Sequence, residues 1–317
     1  MTLFLSETQV ESLLDMKEVV PAVEEAFRHQ AGGEAVNSMR TRSRAPGAAL
    51  NVMHAALQYL GRGGVKCYMS SPEGTKFIFV LFDMKDSSPL AVMGAEVLGM
   101  FRTGAASGVS TKFMYARPSA SLAILGSGKQ AMTQVTAVAE VTSVSEVKVW
   151  SPDRSHREAF AGRLNGAGFT ASPADTPGAA TRGADIASTI TSSKTPFLGK
   201  EAVAGLSHLN VCGGNNPDHS EIVADALGSF DTVAVDDLPQ AMVEYGDLIQ
   251  AAEAGTFSWE RALELKAIVA GSKKPRGRTL FKSGGAALED VAVASLVYDK
   301  ALSKGDFADS EFELGLG

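Results

Sequence analysis

A glycine-rich stretch, "LAILGSGKQA", follows an apolar run typical of a buried strand and precedes the helix-like segment "AMTQVTAVAEV". Its first glycine permits a tight turn, its second lets the backbone approach a diphosphate closely, and the small residue that follows lets the helix pack on the strand. The first amides of that helix would then point at the phosphates. The stretch predicts a dinucleotide-binding turn. Its residues are Gly126, Ser127, Gly128, Lys129, Gln130 and Ala131.

The segment "VKVWSPDRSHREAF" should form the end of the next strand and the start of the next helix, where the ribose of a dinucleotide is recognised. Ser151 stands where an acidic residue would bind a free 2′-hydroxyl, and Arg154, His156 and Arg157 follow closely. This group suits a 2′-phosphate, so the pattern favours NADP(H). NAD(H) stays open, because Arg154 and Arg157 can equally form the solvated start of a helix and Asp153 lies close enough to serve a ribose.

Two isolated cations precede the nucleotide turn. Arg102, in "FRTGAASG", stands at the head of a run of small, helix-compatible residues, and Lys66 lies in the strand-like "GGVKCYMSSP". An arginine here could bind a carboxylate bidentately, but it could also cap a helix or lie in an interface. Lys66 taken alone could equally be a surface lysine on an edge strand.

The spacing of apolar residues in the surrounding segments changes along the chain. Apolar residues spaced three and four apart over 13–27 predict an amphipathic helix, and short β-prone runs over 38–97 predict an antiparallel meander. After Pro118, strand-like and helix-like segments alternate, which predicts a parallel sheet covered on both faces. The expected strands span residues 121–125, 147–150, 186–190, 209–212 and 232–235. The last helix, "ALEDVAVASLVYDKAL", is expected to pack back on the first domain, and the tail "GDFADSEFELGLG" is expected to fray.

Composition narrows the class of protein. The chain has 317 residues, of which 45% are hydrophobic, and a formal charge of −7, which argues against binding to nucleic acid or anionic membranes. No apolar run reaches the roughly 18 residues needed to cross a bilayer, and the first residues do not resemble a signal peptide. Cys67 and Cys212 have no CxxC spacing, so we expect both to be reduced and buried in a cytoplasmic protein. The five scattered histidines predict no metal site.

Several motifs together resemble the ornithine cyclodeaminase and mu-crystallin superfamily, which includes alanine dehydrogenases and ketimine reductases. They are "GGVKCYMSSP", "SPLAVMGAEVLGMFRTGAASG", "ILGSGKQA", "LNVCGGNNPDHSE" and "SGGAALEDVAVASLVYDKAL". The resemblance implies an α/β protein: a Rossmann-type domain over 118–285, and a discontinuous α+β domain over 1–117 and 286–317. The antiparallel sheet of the second domain would mediate homodimerisation.

The resemblance also implies roles for particular residues. Arg40, Lys66 and Arg102 match carboxylate-binding positions and Thr75 a polar position near them, although Arg42 and Arg44 lie within short reach of Arg40. On the cofactor side it implies contributions from Thr191, Ser283 and Gly284.

Two departures from the family pattern bear on activity. Asn215 replaces the aspartate of the cyclodeaminases, and an amide cannot exchange the proton that ammonia expulsion requires. Asn51 replaces an arginine of one alanine dehydrogenase branch.

We therefore expect NAD(P)H-dependent reduction of a carbon–nitrogen double bond next to a carboxylate, in a cyclic ketimine or a small acyclic imino acid. Arg40 and Arg102 would anchor the carboxylate, Lys66 would share that task or donate a proton to the imine nitrogen, and Asn215 would hydrogen-bond the nitrogen or the nicotinamide amide. The alternatives are a cyclodeaminase, an amino-acid dehydrogenase, and a nucleotide- and ligand-binding protein without turnover.

Overall fold

The structure is a computed structural model that describes residues 2–115 and 117–305. The chain divides into two compact units: unit 1 comprises Met1–Arg102 and Ala286–Gly317, and unit 2 comprises Thr103–Gly285. Unit 1 is thus discontinuous in sequence. The tail expected to fray falls almost entirely outside the described residues.

The sheet of unit 1 is antiparallel except at one edge, where the first strand joins in parallel. Its strand order is β1-β7-β6-β5-β4-β2, with β3 also pairing with β4. The strands are β1 (Leu3–Leu5), β2 (Ala35–Asn37), β3 (Thr41–Ala45), β4 (Ala48–Leu57), β5 (Arg62–Ser71), β6 (Gly74–Asp83) and β7 (Pro89–Gly94). The predicted meander is therefore present and gains one parallel neighbour.

Helices cover one face of this sheet. They are α1 (Glu7–Leu13), α2 (Met16–Ala31) and α12 (Ala287–Lys304). A further helix, α3 (Glu96–Met114), follows β7. The helix expected over 13–27 is α2, which begins after its N-cap Asp15, and the separate helix α1 precedes it with Ser6 as its N-cap. Alternate residues of the strands, such as Met53 and Phe79, are buried where α2 and α12 pack on the sheet.

The boundary between the units falls inside α3, at Arg102/Thr103, whereas the sequence suggested a boundary after residue 117. Side chains past this point bond within unit 2: Ser110 and Thr111 both hydrogen-bond Asn210. Pro118 marks where the backbone turns, but packing decides which unit each helical turn belongs to.

The sheet of unit 2 is parallel throughout, in the order β10-β9-β8-β11-β12-β15-β13-β14. Its strands are β8 (Ser119–Leu125), β9 (Ser143–Trp150), β10 (Ala171–Pro173), β11 (Ile186–Thr189), β12 (His208–Val211), β13 (Thr232–Val235), β14 (Ala262–Glu264) and β15 (Thr279–Lys282). Sequence periodicity missed the short strands β10, β14 and β15, of which β15 lies inside the sheet between β12 and β13.

Both faces of this sheet are covered. Ala123 and Leu125 of β8 belong to one apolar core, whereas Leu122 and Ile124 belong to another, as alternation along a strand requires. The helices are α4 (Ala131–Val141), α5 (Arg154–Gly166), α6 (Pro177–Thr181), α7 (Lys200–Val203), α8 (Ala224–Leu227), α9 (Leu238–Glu244), α10 (Gly246–Glu253) and α11 (Leu265–Val269). This is the doubly wound arrangement that the sequence predicts. The strand order changes direction beside β8, where such sheets bind ligands at the carboxyl ends of their strands.

None of the helices within residues 2–115 and 117–305 combines the length and apolarity required to cross a membrane.

Candidate active site

Lys66 lies in the middle of unit 1. It stands in β5 between Met53 of β4 and Phe79 of β6, on the face of the sheet that the helices cover. Its side chain is only 3% exposed. Lys66 is therefore a buried lysine of a central strand, and the alternative of a surface lysine on an edge strand is wrong.

Arg102 approaches the same place from α3. The first turn of α3 is fixed by Glu7, whose two carboxylate oxygens accept hydrogen bonds from the amides of Glu96 and Val97. Arg102 consequently lies in the second turn of the helix and not at its head. Its guanidinium is buried and binds two carboxylates, Glu289 and Asp290.

These carboxylates come from the first turns of α12 and are both fully buried. Asp290 Oδ1 lies 2.7 Å from Lys66 Nζ and 3.0 Å from Arg102 Nε, so that one oxygen accepts from both cations. Glu289 Oε2 lies 3.1 Å from Arg102 Nη1. We refer to Arg40, Lys66, Arg102, Glu289 and Asp290 as the clamp cluster.

Burial lowers the pKa of Lys66 to about 7, and the positive charges of Arg102 and Arg40 act in the same direction. The carboxylate of Asp290 opposes this change. Lys66 can therefore exchange a proton near neutral pH, which an ordinary lysine cannot do.

Among the three arginines near residue 40, only Arg40 is buried. Arg42 lies in β3 and donates from Nε to Asn51 Oδ1 at 2.9 Å, and Arg44 is exposed farther along that strand. Asn51 is thus a buried partner of Arg42.

Thr75 is not brought next to Lys66. It pairs with Ser70 at the far end of the β5–β6 hairpin, where its hydroxyl donates to Ser70 Oγ. Lys66 pairs with Phe79, four residues away along β6, a separation of about 13 Å.

The predicted dinucleotide turn in unit 2 connects β8 to α4. Gly126 has φ of +122°, and a Cβ there would lie 2.4 Å from the Ile190 carbonyl oxygen, so only glycine fits. Gly128 faces open space, which leaves room for a phosphate against the backbone. Ala131 is buried as the first residue of α4, Gln130 precedes it as the N-cap, and Lys129 is exposed. The turn therefore fits a dinucleotide.

A cavity of about 540 Å³ opens at this turn. Its described lining includes Gly126, Ser127, Gly128, Trp150, Ser151, Pro152, Asp153, His156, Ile190, Thr191, Ser192, Ser193 and Phe197. Ser127 donates to Ser151 Oγ across the cavity floor at 3.0 Å. The sequence-predicted residues Ser151, His156 and Thr191 are thus brought together with the turn.

The residues that follow Ser151 in the chain make contacts of their own at the start of α5. The Asp153 carboxylate caps α5 by accepting from the His156 amide and from Ser155, which lowers the pKa of Asp153. Arg154 is 79% exposed and pairs with Glu158 outside the described lining of the cavity. Arg157 is buried and donates to the Ser151 carbonyl oxygen.

A second buried ionic group, which we call the strand-end cluster, consists of Glu221, Asp247 and Lys282. Lys282 ends β15, lies 2.9 Å from Asp247 and donates to the Gly213 and Gly214 carbonyl oxygens just before Asn215. Burial disfavours the charged lysine, but the carboxylates of Asp247 and Glu221 outweigh it and raise the pKa of Lys282.

Glu221 ties two loops together at the carboxyl edge of the sheet. Its oxygens accept from the Thr189 hydroxyl and from the amides of Thr191 and Gly213. Burial raises the pKa of Glu221 and the charge of Lys282 opposes this change. Acceptance at both oxygens, with no donation, is the pattern of an ionised carboxylate. The loops that carry Thr191 and Asn215 are therefore fixed by buried charges.

The loop containing Ser283 and Gly284 is held by Asp236. Its Oδ2 accepts from Ser283 Oγ and from the amides of Gly284 and Gly285, at 2.8 to 3.1 Å. Tyr245 makes a short hydrogen bond to the other oxygen of the same carboxylate.

Both cysteines are free thiols, but only Cys212 is buried; Cys67 is half-buried on the outer face of β5. The structure brings no three His, Cys, Asp or Glu side chains into a metal-binding arrangement within its described residues.

Sequence reasoning missed five functional candidates: Glu221, Asp247, Lys282, Glu289 and Asp290. A signal was present for some of them, because "TLFK" ends an apolar run with a lysine and "ALEDVAVAS" places two acids in an apolar helix. Charges in apolar segments are buried only when they are paired.

Comparisons with known proteins agree with this architecture. The model of the ornithine cyclodeaminase/mu-crystallin family matches residues 1–305. An alanine dehydrogenase of Archaeoglobus fulgidus is 33% identical over 315 residues, which cover 96% of each chain.

Two solved structures superpose with a TM-score of 0.90 and are 31% identical to the chain. One is the Δ1-pyrroline-2-carboxylate reductase of Thermococcus litoralis in complex with NADH and L-proline, with coverage of 97% of this chain and 100% of that one. The other is an archaeal alanine dehydrogenase dimer with bound NAD, with coverage of 98% and 99%. The chain belongs to the ornithine cyclodeaminase/mu-crystallin family.

Proposed function

We propose that the protein is an NAD(P)H-dependent oxidoreductase that reduces the carbon–nitrogen double bond of an imino acid, next to its carboxylate, to give an amino acid. The observation that carries this proposal is the clamp cluster. Two arginines, Arg40 and Arg102, lie around a buried lysine, Lys66, whose pKa is about 7, in a chain that also has a dinucleotide turn. A carboxylate clamp and a proton donor are what this reaction requires from the protein.

The cations have different tasks in this mechanism. The guanidinium of Arg102 binds the substrate carboxylate in a fork that Glu289 and Asp290 hold in place, and Arg40 adds a second positive charge. Lys66 donates a proton to the imine nitrogen, because a protonated imine accepts a hydride far better than a neutral one. A lysine with a pKa near 7 is still protonated in part at neutral pH and releases its proton readily.

The dinucleotide would be held in unit 2. Gly126, Ser127 and Gly128 fit its diphosphate, and Ser151 and His156 line the adjoining cavity. When bound, the reduced nicotinamide supplies the hydride. NADP(H) is favoured, because the end of β9 offers the Ser151 hydroxyl in place of an acid and the Asp153 carboxylate is engaged in capping α5.

Asn215 would hydrogen-bond the substrate nitrogen. Its loop is fixed by Lys282 and Glu221, and an amide can donate or accept a hydrogen bond without exchanging a proton. This supports imine reduction over cyclodeamination. Oxidation of a small amino acid, the same chemistry in reverse, is the second candidate, because a 33% identical relative is an alanine dehydrogenase.

We also propose a homodimer. Leu50, Met69 and Ile78 lie on adjacent strands of the unit 1 sheet, on the face opposite Lys66, and are 39%, 47% and 46% exposed. Such an apolar face suits a second copy related by a two-fold axis. A family relative is a dimer. The two free thiols support a reducing, cytoplasmic environment.

The test is a substrate panel followed by the loss of absorbance of reduced cofactor. It contains preformed five- and six-membered cyclic ketimine carboxylates, 2-oxo acids with ammonia, and ornithine and lysine with oxidised cofactor. We expect turnover with at least one imine. Ammonia release from a diamino acid without net cofactor consumption would indicate a cyclodeaminase, and saturable ligand binding without any turnover would indicate a binding protein.

A further inference from the structure

We propose that Asp290 is a positioning residue. One oxygen of its carboxylate orients both the proton donor Lys66 and the carboxylate-binding Arg102, whereas Glu289 orients Arg102 and not Lys66. The inference rests on the proposed function and extends it to two neighbouring residues of α12.

The two carboxylates differ in the cations that they contact. Asp290 Oδ1 accepts from Lys66 Nζ at 2.7 Å and from Arg102 Nε at 3.0 Å. Glu289 Oε2 lies 3.1 Å from Arg102 Nη1. Both acids are fully buried, so neither is solvated and each acts on the cations that it contacts.

The charges around Lys66 make Asp290 decisive for its protonation. Arg102 faces Lys66 from α3, Arg40 from the segment before β3, and Asp290 from α12, next to Glu289; the cross-strand neighbours Met53 and Phe79 are uncharged. Asp290 is the carboxylate that directly contacts the ammonium. Without its charge, burial and two guanidinium groups would all disfavour protonated Lys66.

The sign of the effect follows from this balance. Removing the Asp290 charge lowers the pKa of Lys66, so that the proton donor is lost at a lower pH. A single charge at contact distance changes a pKa by about 1 to 3 units. Removing the Glu289 charge should instead loosen Arg102 and weaken carboxylate binding.

The experiment compares Asp290→Asn with Glu289→Gln, two nearly isosteric changes on the same turn of α12. The pH dependence of kcat and the KM for the imine are measured at saturating cofactor. We expect Asp290→Asn to move the alkaline limb of kcat down by about 1 to 3 pH units. We expect Glu289→Gln to raise KM roughly tenfold while its alkaline limb stays within about 0.3 units of wild type.

Thermal unfolding and dinucleotide affinity, measured by fluorescence, show whether each variant is folded. A folded Asp290→Asn protein with the wild-type limb would overturn the proposal, as would equal limb shifts in both variants. If Asp290→Asn does not fold, Asp290→Glu keeps the charge but moves it by one methylene. The expected result is then a kcat at least tenfold lower with an unmoved limb, and a wild-type kcat would overturn the proposal.

A substrate-independent readout separates this inference from the proposed function. In protein labelled with 13C at the lysine ε-carbon, the Lys66 resonance is assigned by its loss in Lys66→Met and titrated with pH. A lower pKa in Asp290→Asn than in wild type supports the positioning role even if no imine is reduced, in which case only the proposed function fails. An unchanged pKa contradicts the positioning role even in an active enzyme.

Discussion

Lys66 and Lys282 are both fully buried lysines in central strands, yet their pKa values move in opposite directions. Burial and the neighbouring guanidinium groups lower the pKa of Lys66 to about 7. For Lys282, Asp247 and Glu221 outweigh the effect of burial and raise the pKa. The clamp cluster has three cations for two carboxylates, and the strand-end cluster has one cation for two. Because both lysines are buried to nearly the same degree, burial does not distinguish them. The ratio of cations to carboxylates decides which lysine can exchange a proton.

The difference separates a chemical role from a structural one. The Lys282 ammonium donates to the carbonyl oxygens of Gly213 and Gly214, so it is needed as a permanent cation that closes a loop. Lys66 contacts a carboxylate that also accepts from Arg102, and within the part of the chain that the structure describes it donates to no backbone carbonyl oxygen. A buried ion pair is weak support for stability in general, and here the two clusters predict different outcomes for the same substitution.

The largest effect should come from replacing each lysine by methionine. Lys66→Met should lower kcat/KM for the imine by about 100- to 10,000-fold, the usual contribution of a proton donor. Its unfolding midpoint should change little, because Arg102 still compensates Asp290. Lys282→Met should instead lose about 3 to 5 kcal/mol of stability, because two carboxylates stay buried without a cation. Denaturant unfolding and steady-state kinetics measure both; equal stability losses would erase the distinction between the clusters.

The two clusters also show which parts of the site can be predicted from the sequence and which cannot. The dinucleotide turn could be predicted because strand, glycine spacing and helix are contiguous, and Lys66 and Arg102 could be singled out by resemblance. The carboxylates that control them could not, because Asp290 is 224 positions away from Lys66 in the chain. Lys282 was missed for a related reason: β15 is four residues long and has no periodicity.

The same limit applies to the fold. The alternation after Pro118 predicts a parallel sheet, but not that β15 lies between β12 and β13. Likewise, Thr75 matches a family position by sequence, whereas the register places it beside Ser70 and far from Lys66. Register and strand order depend on long-range pairing, which local patterns do not encode.

The next effect concerns the fork of Arg102. Arg102→Ala should lower kcat/KM for the imine by about 10- to several-hundredfold, since charge-assisted hydrogen bonds contribute about 1.5 to 3 kcal/mol. Arg102→Lys keeps the charge but not the fork, so it should recover only part of this loss. Dinucleotide affinity, measured by fluorescence titration, should barely change. Loss of dinucleotide binding together with unchanged preference among imines would assign Arg102 to the cofactor or to structure.

The pH dependence sharpens the contrast between the lysines. If Lys66 donates the proton, as we propose, imine reduction needs protonated Lys66 and its kcat should fall about tenfold per pH unit above about 7. Amino-acid oxidation needs neutral Lys66, so its kcat should rise as pH approaches 7 from below and then level off. Both profiles are measured at saturating substrate and cofactor. If kcat changed with pH in the same sense for imine reduction and for amino-acid oxidation, Lys66 would not be the group that transfers the proton.

A smaller effect tests Asn215. Asn215→Asp restores a titratable group at the cyclodeaminase position, next to the carbonyl oxygens that Lys282 holds. We expect no gain in imine reduction, with a loss of no more than about tenfold, because the hydrogen bond changes but the clamp does not. Ammonia assays with ornithine should show slow release only in the variant. An increase in imine reduction would contradict the assigned hydrogen-bonding role.

The smallest effect lies in the choice of cofactor. Ser151→Asp places a carboxylate at the end of β9, beside Ser127, where it would accept a ribose 2′-hydroxyl and repel a 2′-phosphate. The ratio of NADPH to NADH affinity should fall by about 10- to 100-fold, the range of one or two charge-assisted hydrogen bonds.

Arg154→Ala is the matched control: Arg154 pairs with Glu158 and is 79% exposed, so we expect less than about a threefold change. Fluorescence titration of both dinucleotides against the three proteins measures these ratios. Tighter NADH than NADPH binding by the wild type would overturn the NADP(H) preference, and a tenfold loss of NADPH affinity in Arg154→Ala would assign the 2′-phosphate contact to Arg154 instead of to the Ser151 end of the cavity.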